Sequence, residues 1–146
     1  MTLDDNYRYE EGSENLDKLT KRLIDSHFPS LEKASILILL DKKHRKKNNR
    51  IVLGRMMLAN DLVQFLTDGF NYVMILDKKA VEIASEEDLI RLIRHELRHC
   101  FHDVDSDIKP WKLLDHDVQD FAEELKLNRD NIDWANELAT RIENLE

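Results

Sequence analysis

The sequence predicts an α+β domain in which a small sheet of about three strands packs against helices. Three observations lead there. Apolar residues recur at helical spacing over 14–28 and again from residue 86 onward. Between those stretches lie short apolar runs of strand length. With only 3 Gly and 2 Pro and 36% charged residues, the chain is helix-rich and has few elaborate loops.

Residues 1–13 are polar and acidic and are expected to be loose, leaving 14–146 as one domain. From Glu14 to about Phe28, the spacing of Leu16, Leu19, Leu23 and Ile24 predicts a helix that Pro29 ends. Lys33 to Leu40 reads as a buried strand. A polar stretch, Asp41 to Arg50, separates it from Ile51–Leu58, a plausible antiparallel partner strand. Asn60 to Thr67 suits a short helix or turn, Phe70 to Leu76 a third strand, and Lys78 to Ala84 a short helical connection. Ser85-Glu86-Glu87-Asp88 carries a hydroxyl cap followed by acids, which starts a helix near Glu86. Turn-forming residues fill Asp103 to Pro110. Amphipathic helices are then expected over roughly Leu114–Leu127 and Asp130–Leu145. The order is α-β-β-β-α-α-α.

The net charge of −8 argues against nucleic-acid binding by the whole surface, though not against a local basic patch. The single cysteine, Cys100, excludes an internal disulfide framework and reads as a small apolar core residue. The chain opens acidic, without the basic and apolar regions of a secretory signal. The longest apolar run, Ile36–Leu40, is far too short to cross a bilayer. A cytoplasmic protein without membrane contact is expected.

The segment His95-Glu96-Leu97-Arg98-His99 carries the chemistry. On a helix, residues i and i+4 lie about 40° apart and one turn apart, so both imidazoles project from one face and can bind one Zn²⁺. Glu96 lies about 100° round from His95, where a general base for a metal-activated water belongs. A chance H-E-x-x-H in this composition has a probability of about 2 per cent, and two solvated histidines on a surface helix are the bland alternative. The context favours a site. Leu89, Ile93, Leu97, Cys100, Phe101 and Val104 cluster opposite the histidines, so one face packs on a core and the other meets a cleft.

Catalytic zinc commonly takes three protein ligands, and two histidines are incomplete. His102 shares the face of His95 but lies about 10.5 Å along a continued helix, too far for joint ligation. Asp105 falls six residues after His99, where one zinc-protease class puts its third ligand, but His102 occupies the position of that class's turning glycine. His116 is the preferred candidate, at the start of the next amphipathic helix and opposite its apolar stripe. Asp120 and Glu123 share its face. Asp120 could accept the second imidazole N–H, and Glu123 could itself be a ligand.

His95-Glu96-Leu97-Arg98-His99 followed by His116-Asp117 and Phe121 resembles the small zincin-type metallopeptidases of phages and mobile elements, with some likeness to SprT-like proteases. The similarity covers roughly Lys33 to Leu127. It implies a minimal zincin-like fold with the motif on a central helix, metal ligands His95, His99 and His116, Glu96 as catalytic base, and Zn²⁺ as cofactor.

The resulting expectation is a zinc-dependent hydrolase of protein or peptide substrates, with Glu96 as general base. The alternatives are a nucleic-acid-associated protein with a structural zinc, and a metal-dependent hydrolase of a non-peptide substrate. A structural site has no need of a base, so Glu96 favours hydrolysis. Tyr72 and His102 are candidate oxyanion donors, and the Phe70–Leu76 strand a candidate edge for β-pairing with substrate. The 42–50 segment holds six Lys or Arg in nine residues; such a run is ordinarily a solvated loop, and contact with nucleic acid is the alternative. Arg91, Arg94 and Arg98 form a stripe expected to pair with the chain's carboxylates.

Overall fold

Leu16, Leu19, Leu23 and Ile24 form the buried stripe of helix α1 (Glu14–His27) in a computed structural model that describes residues 7–114, 122–131 and 133–145. The Ser13 hydroxyl caps it, accepting from the Leu16 N–H. Phe28 ends the helix, and Pro29 opens a short 3₁₀ turn. The fold is α+β, with a mixed four-stranded sheet packed against helices.

The strands follow as β1 (Tyr9–Glu11), β2 (Ile36–Asp41), β3 (Lys46–Lys47), β4 (Arg50–Ile51), β5 (Gly54–Leu58) and β6 (Tyr72–Asp77). The main sheet has the order β1-β2-β6-β5. Strand β1 lies where loose chain was expected; it pairs antiparallel with β2, and Arg8 clasps Asp41 through two bonds of 2.8 and 2.9 Å. The expected antiparallel pairing of β2 with the 51–58 stretch is not formed. Strand β6 lies between them, parallel to β2 and antiparallel to β5. Every residue of β6 is buried, and an uninterrupted apolar strand is stabilised best with neighbours on both edges. That also removes β6 as a free edge for substrate: the edge strand on that side is β5.

Helix α2 (Asp61–Leu66) and helix α3 (Lys78–Ile83) form where short helices were expected, capped by Asn60 and Asp77. Helix α4 (Glu86–Leu97) carries the first part of the motif, and Ser85 accepts from the Asp88 N–H as its cap. Strand β5 starts at Gly54, where a Cβ would come within 3.0 Å of Leu76 and 3.3 Å of Leu92. The missing side chain lets β5, β6 and α4 approach closely. Leu92, Ile93 and Leu97 of α4 join Leu40, Met74 and Leu76 of the sheet in the buried core.

Helix α4 stops at Leu97, seven residues short of the stripe expected to run to Val104. The chain instead forms β7 (Cys100–His102), paired antiparallel with β8 (Trp111–Leu113). Tyr72 welds this hairpin to the main sheet, its hydroxyl donating toward the carbonyls of Lys112 (2.8 Å) and Phe101 (3.2 Å). Helix α5 (Ala122–Leu127) and helix α6 (Trp134–Asn144) complete the chain. The expected 114–127 helix is thus present from Ala122; Leu114 continues from a strand, and 115–121 lie outside the described residues. Among the described residues, no helix is long and apolar enough to cross a membrane.

Candidate metal centre

His95 and Glu96 occupy the last turn of α4, and His99 lies just beyond it. The chain tightens there: the Arg98 N–H bonds the Arg94 carbonyl and the His99 N–H bonds the Glu96 carbonyl, both at 3.1 Å. This early turn does not separate the histidines. Their rings lie edge to face, with centroids 5.6 Å apart and planes at 75°. Two imidazoles on one tetrahedral zinc bring their centroids to about 5 Å, close to the spacing of this pair.

His99 is fixed twice by one residue. Its Nδ1 lies 2.6 Å from the Leu114 carbonyl oxygen, and its own carbonyl accepts the Leu114 N–H at 2.7 Å. A carbonyl only accepts, so Nδ1 bears the proton and the neutral ring's lone pair is on Nε2. Metal-binding histidines are commonly held in this manner, with the non-ligating N–H on a backbone carbonyl. Both rings are partly buried, whereas Glu96 between them in sequence is only 4% exposed.

Cys100 adds no ligand to this pair. Burial pushes its thiol pKa well up, and the Glu96 charge pushes it further, so the group stays a thiol and behaves as a small core residue. Tyr72 is fully buried with its hydroxyl committed to the hairpin carbonyls, which excludes it as an oxyanion donor. His102 stacks on Trp111, with centroids 4.2 Å apart. Asp105 is exposed in the β7–β8 loop. Among the described residues, no group of three or more His, Cys, Asp or Glu is placed to hold a metal ion, so neither Asp105 nor His102 is gathered with the two histidines. His116, Asp117, Asp120 and Phe121 lie outside the described residues, as does the side chain of Glu123.

The arginine stripe pairs with carboxylates, as its spacing suggested. Arg91 bonds Asp88 at 2.7 Å and Asp130 at 2.6 Å. Arg94 and Arg98 take one oxygen each of Glu124, at 3.0 and 2.9 Å, and Arg94 also reaches the Asn128 side-chain oxygen at 2.7 Å. Glu124 has no exposed surface, and the Arg98 guanidinium lies 4.6 Å over the Phe28 ring. Sequence reasoning weighed Glu123 and passed over Glu124. The available signal was the i, i+4 spacing of Arg94 and Arg98, which suits one shared carboxylate. The role of the Leu114 carbonyl had no signal, because a backbone oxygen carries no residue identity.

The last turn of α4 and the residues just after it thus bring two imidazoles edge to face, with a buried glutamate between them in sequence. The chain belongs to a family described as putative phage metallopeptidase, whose model matches residues 8–143. No curated protein and no solved structure matches it.

Proposed function

We propose that the protein is a zinc-dependent peptidase with a minimal zincin-like fold, in which His95, His99 and His116 hold the metal and Glu96 is the general base. The observation that carries this is the His95–His99 pair with Nδ1 of His99 on the Leu114 carbonyl, which supports Nε2 as the ligating atom. Three imidazole nitrogens are a donor set zinc favours. Chain connectivity supports His116. Leu114 is bonded to His99 and Glu124 to Arg98, so the backbone on both sides of 115–121 is tethered to the motif. His116 follows Leu114 by two residues, and two residues span at most about 7 Å of chain. Asp120 is assigned the second N–H of His116.

When bound, zinc supplies a water acidified to a pKa of about 7 and polarises the scissile carbonyl. With that water in place, Glu96 would accept a proton on its carboxylate and return it to the leaving amine. Its burial excludes bulk water from competing for the proton. Strand β5 packs against both α4 and β8 and is the edge strand on that side of the sheet among the described residues, where an extended peptide can add by β-pairing. Its exposed Met57 and Leu58 offer apolar contacts to such a substrate.

The test is a peptide-library digest with zinc-loaded parent and Glu96→Gln, with metal content measured on both. Equal zinc and a loss of cleavage of at least about 100-fold in the variant are expected. Equal turnover would remove Glu96 from the mechanism, and loss of zinc would make it a ligand.

A further inference from the structure

We propose that the β3–β4 hairpin is a docking element for duplex DNA, holding the backbone phosphates through Lys43, Arg45, Lys46 and Lys47. The segment is exposed, as its composition suggests, but forms a paired hairpin rather than an irregular loop. Lys46–Lys47 pairs with Arg50–Ile51 across a two-residue turn, in which Asn48 and Asn49 have φ of 52° and 63°. Two consecutive left-handed residues make a type I′ turn, whose twist matches a hairpin, and asparagine tolerates that region better than most side chains.

The hairpin is anchored at its base. Ile51 is buried, the Val52 N–H bonds the Arg45 carbonyl at 2.7 Å, and His44 Nδ1 lies 2.6 Å from an Asp77 oxygen. Arg50 reaches α6, bonding the Asn136 carbonyl at 2.9 Å and Thr140 at 3.2 Å, with Glu143 at 3.6 Å. These contacts fix the ribbon's direction before any ligand arrives, which lowers the ordering cost of binding.

Four of its cations have no acidic partner among the described residues. Segment 42–50 contains no Asp or Glu, and the side chains of Lys43, Arg45, Lys46 and Lys47 are exposed with no acidic partner among the described residues. The motif arginines, by contrast, are matched by buried carboxylates. In a chain of net charge −8, concentrating unpaired cations on one projecting ribbon creates a local field opposite to that of the whole. The register puts Lys46 on the face of Ile51 and Lys47 on the face of Arg50, so cations leave both sides of the ribbon. A groove walled on two sides by phosphates suits that arrangement, and the B-DNA major groove, about 12 Å wide, admits a two-stranded ribbon. The acidic remainder of the surface repels DNA and confines contact to this element.

The ribbon is also apart from the metal centre. Asp77, at one end of β6, holds His44; Tyr72, at the other, holds the β7–β8 hairpin. The strand between them spans about 17 Å. Binding can therefore be removed without touching the centre.

The test is fluorescence anisotropy of a labelled mixed-sequence duplex, titrated with full-length parent and with K43Q/R45Q/K46Q/K47Q. Four phosphate contacts should weaken parent binding about 100-fold between 50 and 200 mM salt, with a log–log slope of about −3.6. The variant should melt at the parent's temperature and show no salt-sensitive binding, while K43R/K46R/K47R should bind as the parent does. Parent protein without salt-sensitive binding, or a folded quadruple variant that still binds, would overturn the proposal. So would displacement of the duplex by poly-glutamate at lower charge concentration than by unlabelled duplex, which would identify an acidic polypeptide as the partner.

Discussion

His99 donates its Nδ1 proton to the Leu114 carbonyl over 2.6 Å, and Leu114 returns a backbone N–H to the His99 carbonyl at 2.7 Å. One residue of the β8 strand end thus sets both the position and the tautomer of a motif histidine. The arrangement places the cost of orienting the ring in folding rather than in metal binding. It also couples the two processes: a metal on His95 and His99 links helix α4 to the hairpin that follows it.

That coupling predicts one Zn²⁺ per chain and a zinc-dependent melting temperature. A ligand bound only by the native state adds about 4 kcal/mol at a free concentration 1,000 times its Kd. Metal analysis after reconstitution and melting curves with and without added zinc check this. No retained zinc, with melting indifferent to the metal, would sink it.

Glu124 is the buried carboxylate that two arginines share, and its removal strands both charges in the interior. Glu124→Gln should destabilise the protein by about 3–5 kcal/mol, because an unmatched buried cation costs more than the pair contributes. Melting should fall by about 10 °C or more. Glu86→Gln, in the exposed first turn of α4, should change it little. Similar melting of the two variants would contradict the clamp.

Elements set by local signals were legible in the chain. Ser13 and Ser85 cap α1 and α4 where a hydroxyl precedes acids and an apolar period, and both helices start there. Strand neighbours were not, because pairing depends on burial by distant residues. The uninterrupted run Tyr72–Leu76 marks a strand covered on both faces, whereas Gly54-Arg55-Met56-Met57-Leu58 mixes exposed and buried positions as an edge does. The end of α4 was hidden for the same reason. No Gly or Pro stands near Arg98, and the turn is set by pairing of Cys100–His102 with residues 111–113. That His95 and His99 share one side of the helix end was readable from spacing, while the tether at Leu114 was not.

Tyr72→Phe separates a structural hydroxyl from a catalytic one. The phenol is buried and donates toward two hairpin carbonyls, and losing it should cost about 1–3 kcal/mol of stability. Turnover per zinc-loaded molecule, measured well below the melting temperature, should stay within a few-fold of the parent. An oxyanion donor would instead show a loss of about 100-fold or more in kcat at unchanged zinc content. Such a loss, with the fold intact, would return Tyr72 to the mechanism.

The remaining prediction decides the third ligand. Zinc titration of the single variants should rank His116→Ala as the most damaging, Asp120→Ala as intermediate at about 10–100-fold in affinity, and Glu123→Ala and Asp105→Ala as near parent. The order follows from two constraints. Leu114 is bonded to His99, and His116 follows Leu114 by two residues in the sequence. Asp105 sits exposed in the loop beyond β7, away from any such group. With Asp120 acting through His116 as proposed, His116→Ala and the H116A/D120A double variant should have the same zinc affinity, whereas independent ligands would give additive losses. Loss of zinc in Glu123→Ala with retention in His116→Ala would transfer the ligand role to Glu123 and keep only the H-E-x-x-H pair.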